Sequence, residues 1–158
     1  MLGVTGGPPM KIRGLDLKSL GLVSLVLAAL AGIFQGAGLY SGIIFFGPVL
    51  FSHAAGSSSV PLAPFLSLFG LTVDLIAAGL GMSGGWLMYQ VAQKGPPLVF
   101  TALLTGVVGE TLLGLGGMGD YAFIGVVVTG SLFWIVLLLL GSGVLWTSLH
   151  NSSDVSMH

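Results

Sequence analysis

SLGLVSLVLAALAGIFQGAGLYSGIIFFGPVLF, residues 19–51, runs without one charged side chain. As a helix rising 1.5 Å per residue it would be roughly 50 Å long, against about 30 Å for the hydrocarbon core of a bilayer. Such a rod has to tilt, project beyond the membrane or bend. Gly47-Pro48 is the expected bend, since proline removes a helix donor. Lys11, Arg13 and Lys18 followed by an apolar run and Ala29-Leu30-Ala31 also fit a signal peptide, but the apolar run continues far beyond that point.

The rest of the chain agrees with the first stretch. Charged residues make up 6% of the sequence, where a soluble domain carries about 25%, and the mean hydropathy is +1.06. That composition has too little polar surface to cover a water-soluble fold. Three more apolar stretches follow, at about 62–89, 97–115 and 121–146, separated by SHAAGSSSVP (52–61), QVAQKGPP (90–97) and LGGMGD (115–120). The expected fold is an all-α membrane protein, a four-transmembrane-helix bundle. One domain of 19–147 lies between a polar N-terminal tail, 1–18, and a polar C-terminal tail, 148–158.

Four spans place both termini on one side. Lys11, Arg13, Lys18 and Lys94 then share that side, and the opposite loops carry no Lys or Arg. The positive-inside rule makes it the cytoplasmic or equivalent side. Trp86, Tyr89 and Trp146 would mark the inner interface, Phe51 and Tyr121 the outer one. Which membrane this is, the composition does not say.

Lipid tails are as apolar as Leu, so membrane helices associate through close backbone approach and interhelical polar contacts. Small residues spaced by four supply such faces: Gly32 and Gly36, then Gly38 and Gly42, in the first span; Ala77, Gly81 and Gly85 in the second; Ala102, Gly106 and Gly114 in the third. Leu, Val, Ile and Phe are left for lipid, for other membrane subunits, or for further copies of the chain.

Two acids and one amide lie inside the spans. Asp74 is roughly 18 Å from the outer end of its helix and Glu110 roughly 10 Å, by helical rise. An ionisable group at such depth is costly, which makes it a functional candidate. With no Lys or Arg at that level, each acid is protonated, hydrogen-bonded to a neighbour such as Thr72, Thr105 or Thr111, or bound to a cation or a file of water. The bland reading is a neutral carboxyl that glues two helices together. Gln35, mid-span in the first helix, reads as interhelical glue, as a contact to a partner subunit, or as a ligand to a pigment magnesium.

Enzymatic chemistry finds no foothold. The absence of cysteine excludes disulfides, thiolate metal sites and cysteine nucleophiles, and the histidines, His53, His150 and His158, lie at or beyond helix ends rather than paired for a buried haem. Gly79-Leu-Gly81-Met-Ser-Gly84 and Gly114-Leu-Gly116-Gly117-Met-Gly119 match a dinucleotide-binding pattern but follow no strand. Gly81-Met82-Ser83-Gly84 resembles the serine motif of rhomboid-like intramembrane proteases over four residues only, and no span carries the histidine base. A net charge of −1 gives no basic patch for nucleic acid.

The expected function is therefore a non-enzymatic subunit or assembly partner of a larger membrane complex, bioenergetic complexes included. The alternative is a small oligomeric channel or carrier that moves protons or a cation through Asp74 and Glu110. A third reading is a subunit that contacts pigment or quinone through Gln35, Glu110 or His53. Neither a cofactor nor a metal site is assigned.

Overall fold

The computed structural model describes residues 11–12, 15–54, 62–117 and 119–154. A two-residue antiparallel pairing of β1 (Lys11–Ile12) with β2 (Leu15–Asp16) leads into five helices. These are α1 (Leu17–Ala54), α2 (Leu62–Tyr89), α3 (Gly95–Leu115), α4 (Gly119–Gly141) and α5 (Val144–Asp154). The Asp16 carboxylate accepts the backbone N–H of Lys18 at 2.7 Å, which caps the entry to α1. Three helices, α1, α2 and α3, are long and apolar enough to cross a membrane; α4 and α5 make a fourth crossing if that bent pair counts as one.

α1 runs to Ala54 as one helix with Pro48 inside it. One detail differs from the sequence reading: the stretch expected as a single span over 121–146 is two elements. Gly143 adopts φ +75°, a left-handed conformation that glycine takes without steric cost, and α5 leaves at 77° to α4. Trp146 therefore sits on α5. Of the tails and the 52–61 connection, Arg13, residues 55–61 and His158 lie outside the described residues.

α2 packs against α1 on one side and α3 on the other, and α4 closes the ring by touching both α3 and α1. Small residues make the α2–α3 seam. Ser67, Gly70, Asp74, Ala77, Gly81, Gly84 and Met88 are all buried and alternate by three and four, and Gly95, Val99, Ala102, Gly106, Gly109 and Leu113 answer them on α3. A 3.5-residue repeat of this kind belongs to helices that coil around each other left-handedly. The approach is close. A β-carbon at Gly84 would lie 2.8 Å from Val99 N, and one at Gly95 2.6 Å from Met88 N.

The α1–α2 face is as tight. A β-carbon at Gly85 would lie 2.6 Å from Leu25 N and 2.7 Å from Gly21 O. At Gly81 it would meet the Ala28 methyl at 2.9 Å, and at Gly42 the Leu68 side chain at 2.8 Å. Gly32 faces Ala78 at 3.5 Å. Dispersion between backbones at this range is the main attraction available to helices in lipid. Gly38 is buried in the same helix, whereas β-carbons at Gly36 and Gly114 would meet nothing within 4 Å.

One end of the bundle is filled by a core of Leu17, Leu20, Met88, Val99, Leu103, Leu132, Ile135, Val136, Leu139, Val144 and Leu145. The start of α1, the α2–α3 turn and α5 meet here, around a cleft that Leu17, Gln93, Pro96 and Val144 help to line. Lys18 and Lys94 flank these residues in sequence and so belong to the same end of the molecule. The outside of the bundle is apolar: Tyr40, Phe45, Phe51, Phe123, Trp134 and Trp146 are all exposed.

Candidate functional site: an acidic cavity between four helices

The small-residue seam leaves a hollow where it meets α1 and α4. Asp74 of α2, Glu110 of α3 and Gln35 of α1 line one cavity of about 30 Å³, together with Thr129 of α4 and a wall of Ala28, Ala31, Ala77, Ala78, Ala102, Gly106 and Gly125. Alanine and glycine are what make it hollow, because larger side chains on those faces would fill it. None of the lining residues is basic.

Asp74 is 5% exposed and Gln35 3%. Both carboxyl oxygens of Asp74 and the Oε1 of Gln35 lack a hydrogen-bond partner among the described residues. That is unusual, since most buried polar atoms are paired and an orphan costs about 1–3 kcal/mol, more if charged. The Asp74 carboxyl is held over Gly109, where any β-carbon would overlap its Oδ1. Asp74 and Glu110 are close enough to interact electrostatically.

Glu110 does have a partner. The Thr129 hydroxyl donates to its Oε1 across the α3–α4 contact. Gly125, one turn before Thr129, provides the space: a β-carbon there would come within 2.9 Å of Glu110 Oε1. The threonines expected to serve the acids do not reach them. Thr72 bonds back to Leu68 O at 2.8 Å, Thr105 to Thr101 O at 2.9 Å and Thr111 to Val107 O at 2.7 Å, each within its own helix.

Apolar side chains flank the cavity on both sides along the bundle. Toward the 52–61 end, Leu71 and Leu113 are fully buried one turn beyond the acids. The Ser67 hydroxyl there hydrogen-bonds to both Ala63 O and Gly116 O, each at 3.0 Å, tying α2 to the end of α3. Toward the other end lies the apolar core around Leu103 and Leu132.

The three intramembrane candidates named from sequence thus share one site. Thr129, Gly109 and Gly125 belong to it as well and were missed, because a Thr or Gly in an apolar stretch carries no signal of its own. His53 falls in the last turn of α1 and His150 on α5, neither in a segment that contributes to the cavity wall. Among the described residues no group of three or more His, Asp or Glu side chains is placed to hold a metal ion. No protein-family model, curated protein or solved structure matches this chain.

Proposed function

We propose that this is a four-span membrane protein, with both termini on the cytoplasmic or equivalent side, whose non-enzymatic work is to take up and move a proton or small cation at the Asp74–Glu110–Gln35 site. The observation that carries this reading is the convergence of two buried polar side chains, Asp74 and Gln35, and the half-buried Glu110 on one hollow between four helices, with three of their oxygens unpaired. Purely structural carboxyls would be expected to bond to the neighbouring helix, as Glu110 does with Thr129. Asp74 makes no such bond. Apolar packing above and below the cavity along the bundle favours a carrier that opens by turns over a standing pore.

The sidedness rests on charge: Lys18 and Lys94 share an end, and cytoplasmic ends attract Lys and Arg. The experiment is ion flux into proteoliposomes. Asp74→Asn and Glu110→Gln are expected to abolish flux while leaving assembly intact. Full activity of both variants would make the carboxyls structural.

A second reading, a subunit or self-assembling partner of a membrane complex, is favoured by the outer surface. α1 carries exposed Tyr40, Phe45 and Phe51 together with Gly36 and Gly47, at which a β-carbon would meet nothing. The two readings are compatible, because a carrier can work as an oligomer. Mild-detergent purification tests the second: stoichiometric companions or a homo-oligomer are expected, and a lone stable monomer would contradict it. A pigment or quinone contact through Gln35 is a weaker proposal, since a cavity of about 30 Å³ admits no ring system; an absorption spectrum tests it.

A further inference from the structure

We propose that the cavity binds one dehydrated monovalent cation of about the size of Na⁺, in exchange for one proton from the Asp74–Glu110 pair. The inference rests on the ion-handling reading above and specifies the ion and its counter-ion.

The donor set comes first. Gln35 Oε1 and both Asp74 oxygens are unpaired and buried at the cavity, and the Glu110 carboxyl and Thr129 hydroxyl complete its polar lining. All are oxygens, the ligands that hard cations take. No thiol or imidazole lines the cavity, so softer metals have no ligand there.

Charge balance then restricts the occupant. Two carboxyls with no basic residue in the lining make a site that can carry up to two negative charges. Uncompensated charge in an apolar interior costs several kcal/mol. Neutrality allows three states: two protons, one proton with one monovalent cation, or one divalent cation alone.

Size decides among the loaded states. The cavity, about 30 Å³, has room for about two waters. Ca²⁺ takes six to eight oxygen ligands, and Mg²⁺ keeps several of its waters. Neither shell fits. A bare monovalent ion does, with Gln35 supplying a neutral dipole and Asp74 the charge.

The exchange balances without a co-reactant. The doubly protonated pair plus M⁺ becomes one carboxyl, one carboxylate bound to M⁺, and one released H⁺. Asp74 is the group that trades its proton, because neither of its oxygens is committed elsewhere. Glu110 keeps its own proton, with Thr129 donating to Oε1. The site is neutral before and after, so the loaded and the protonated protein are equally compatible with the apolar surroundings.

The test uses the wild-type full chain in detergent, lightly buffered, with a pH-sensitive dye. NaCl is expected to release about one proton per protein and choline chloride none, with the half-saturating Na⁺ concentration falling about tenfold for each unit rise in pH. Gln35→Leu should raise that concentration about tenfold or more, and Asp74→Asn should remove the release. Absence of proton release with LiCl, NaCl and KCl overturns the proposal, as does a preference for CaCl₂ with two protons released. If proteoliposomes show proton flux that Asp74→Asn abolishes and Na⁺ does not alter, the site handles protons alone; this inference falls and the broader reading stands. If flux and proton release are both missing, both fall.

Discussion

The Oδ1 of Asp74 occupies the space that a β-carbon on Gly109 would fill, so the acid on α2 fits only because α3 has a glycine opposite it. The position next to Gly109 is Glu110, and the same close contact therefore brings the second carboxyl to the cavity.

Gly109→Ala is expected to push the Asp74 carboxyl off its seat. Overpacking a filled interior costs about 1–3 kcal/mol. The variant should unfold at lower temperature in detergent and lose ion uptake together with stability. A Gly109→Ala protein with wild-type melting and wild-type uptake would show that the carboxyl is free to sit elsewhere.

Thr129→Val keeps the shape of the side chain and removes the hydroxyl that bonds to Glu110. Glu110 is half-buried, and losing this hydrogen bond should cost about 0.5–1.5 kcal/mol. Thr129→Ser restores the donor and should recover most of the loss. Equal melting temperatures for the Val and Ser variants would mean that the hydrogen bond contributes nothing measurable.

Gly85→Ala and Gly36→Ala separate the tight helix contacts from the open ones. At Gly85 a β-carbon would collide with the backbone of Gly21 and Leu25, which can yield only if α1 and α2 move apart, whereas at Gly36 it meets nothing within 4 Å. The first substitution should cost about 1–3 kcal/mol; the second should stay within about 0.5 kcal/mol of wild type. Thermal melts of the dilute detergent-solubilised protein check both. If Gly36→Ala instead alters the oligomeric state in gel filtration, that face is an interface between copies.

The chain has no cysteine, so single-cysteine variants report sidedness without background. Lys18→Cys and Lys94→Cys should react with an impermeant maleimide from one side of sealed vesicles, and Ser58→Cys and Gly117→Cys from the other. Labelling of Lys18→Cys and Lys94→Cys from opposite sides would contradict the four-span arrangement.

Much of this architecture was legible because apolar length and the absence of charge are properties of the residues themselves. α2 matches the expected 62–89 closely for that reason, and Asp74, Glu110 and Gln35 stood out against an otherwise apolar background. The packing was harder to read. Ala77, Gly81 and Gly85 look like one stripe at spacing four, yet Gly85 turns to α1 while Gly84 faces α3. A seam that alternates by three and four drifts off any fixed spacing. The break at Gly143 was also hidden, since a glycine inside an apolar run looks the same whether it packs a helix or ends one. Thr129 could be paired with Glu110 only once α4 had been placed against α3.

Ion flux into sealed proteoliposomes, compared between wild type and Asp74→Asn reconstituted at equal density, tests most directly whether the hollow between the helices handles ions. Saturable, pH-dependent flux in the wild type and none in the equally folded variant is the predicted result. Wild-type flux in Asp74→Asn, or no flux above empty vesicles in either, would contradict it.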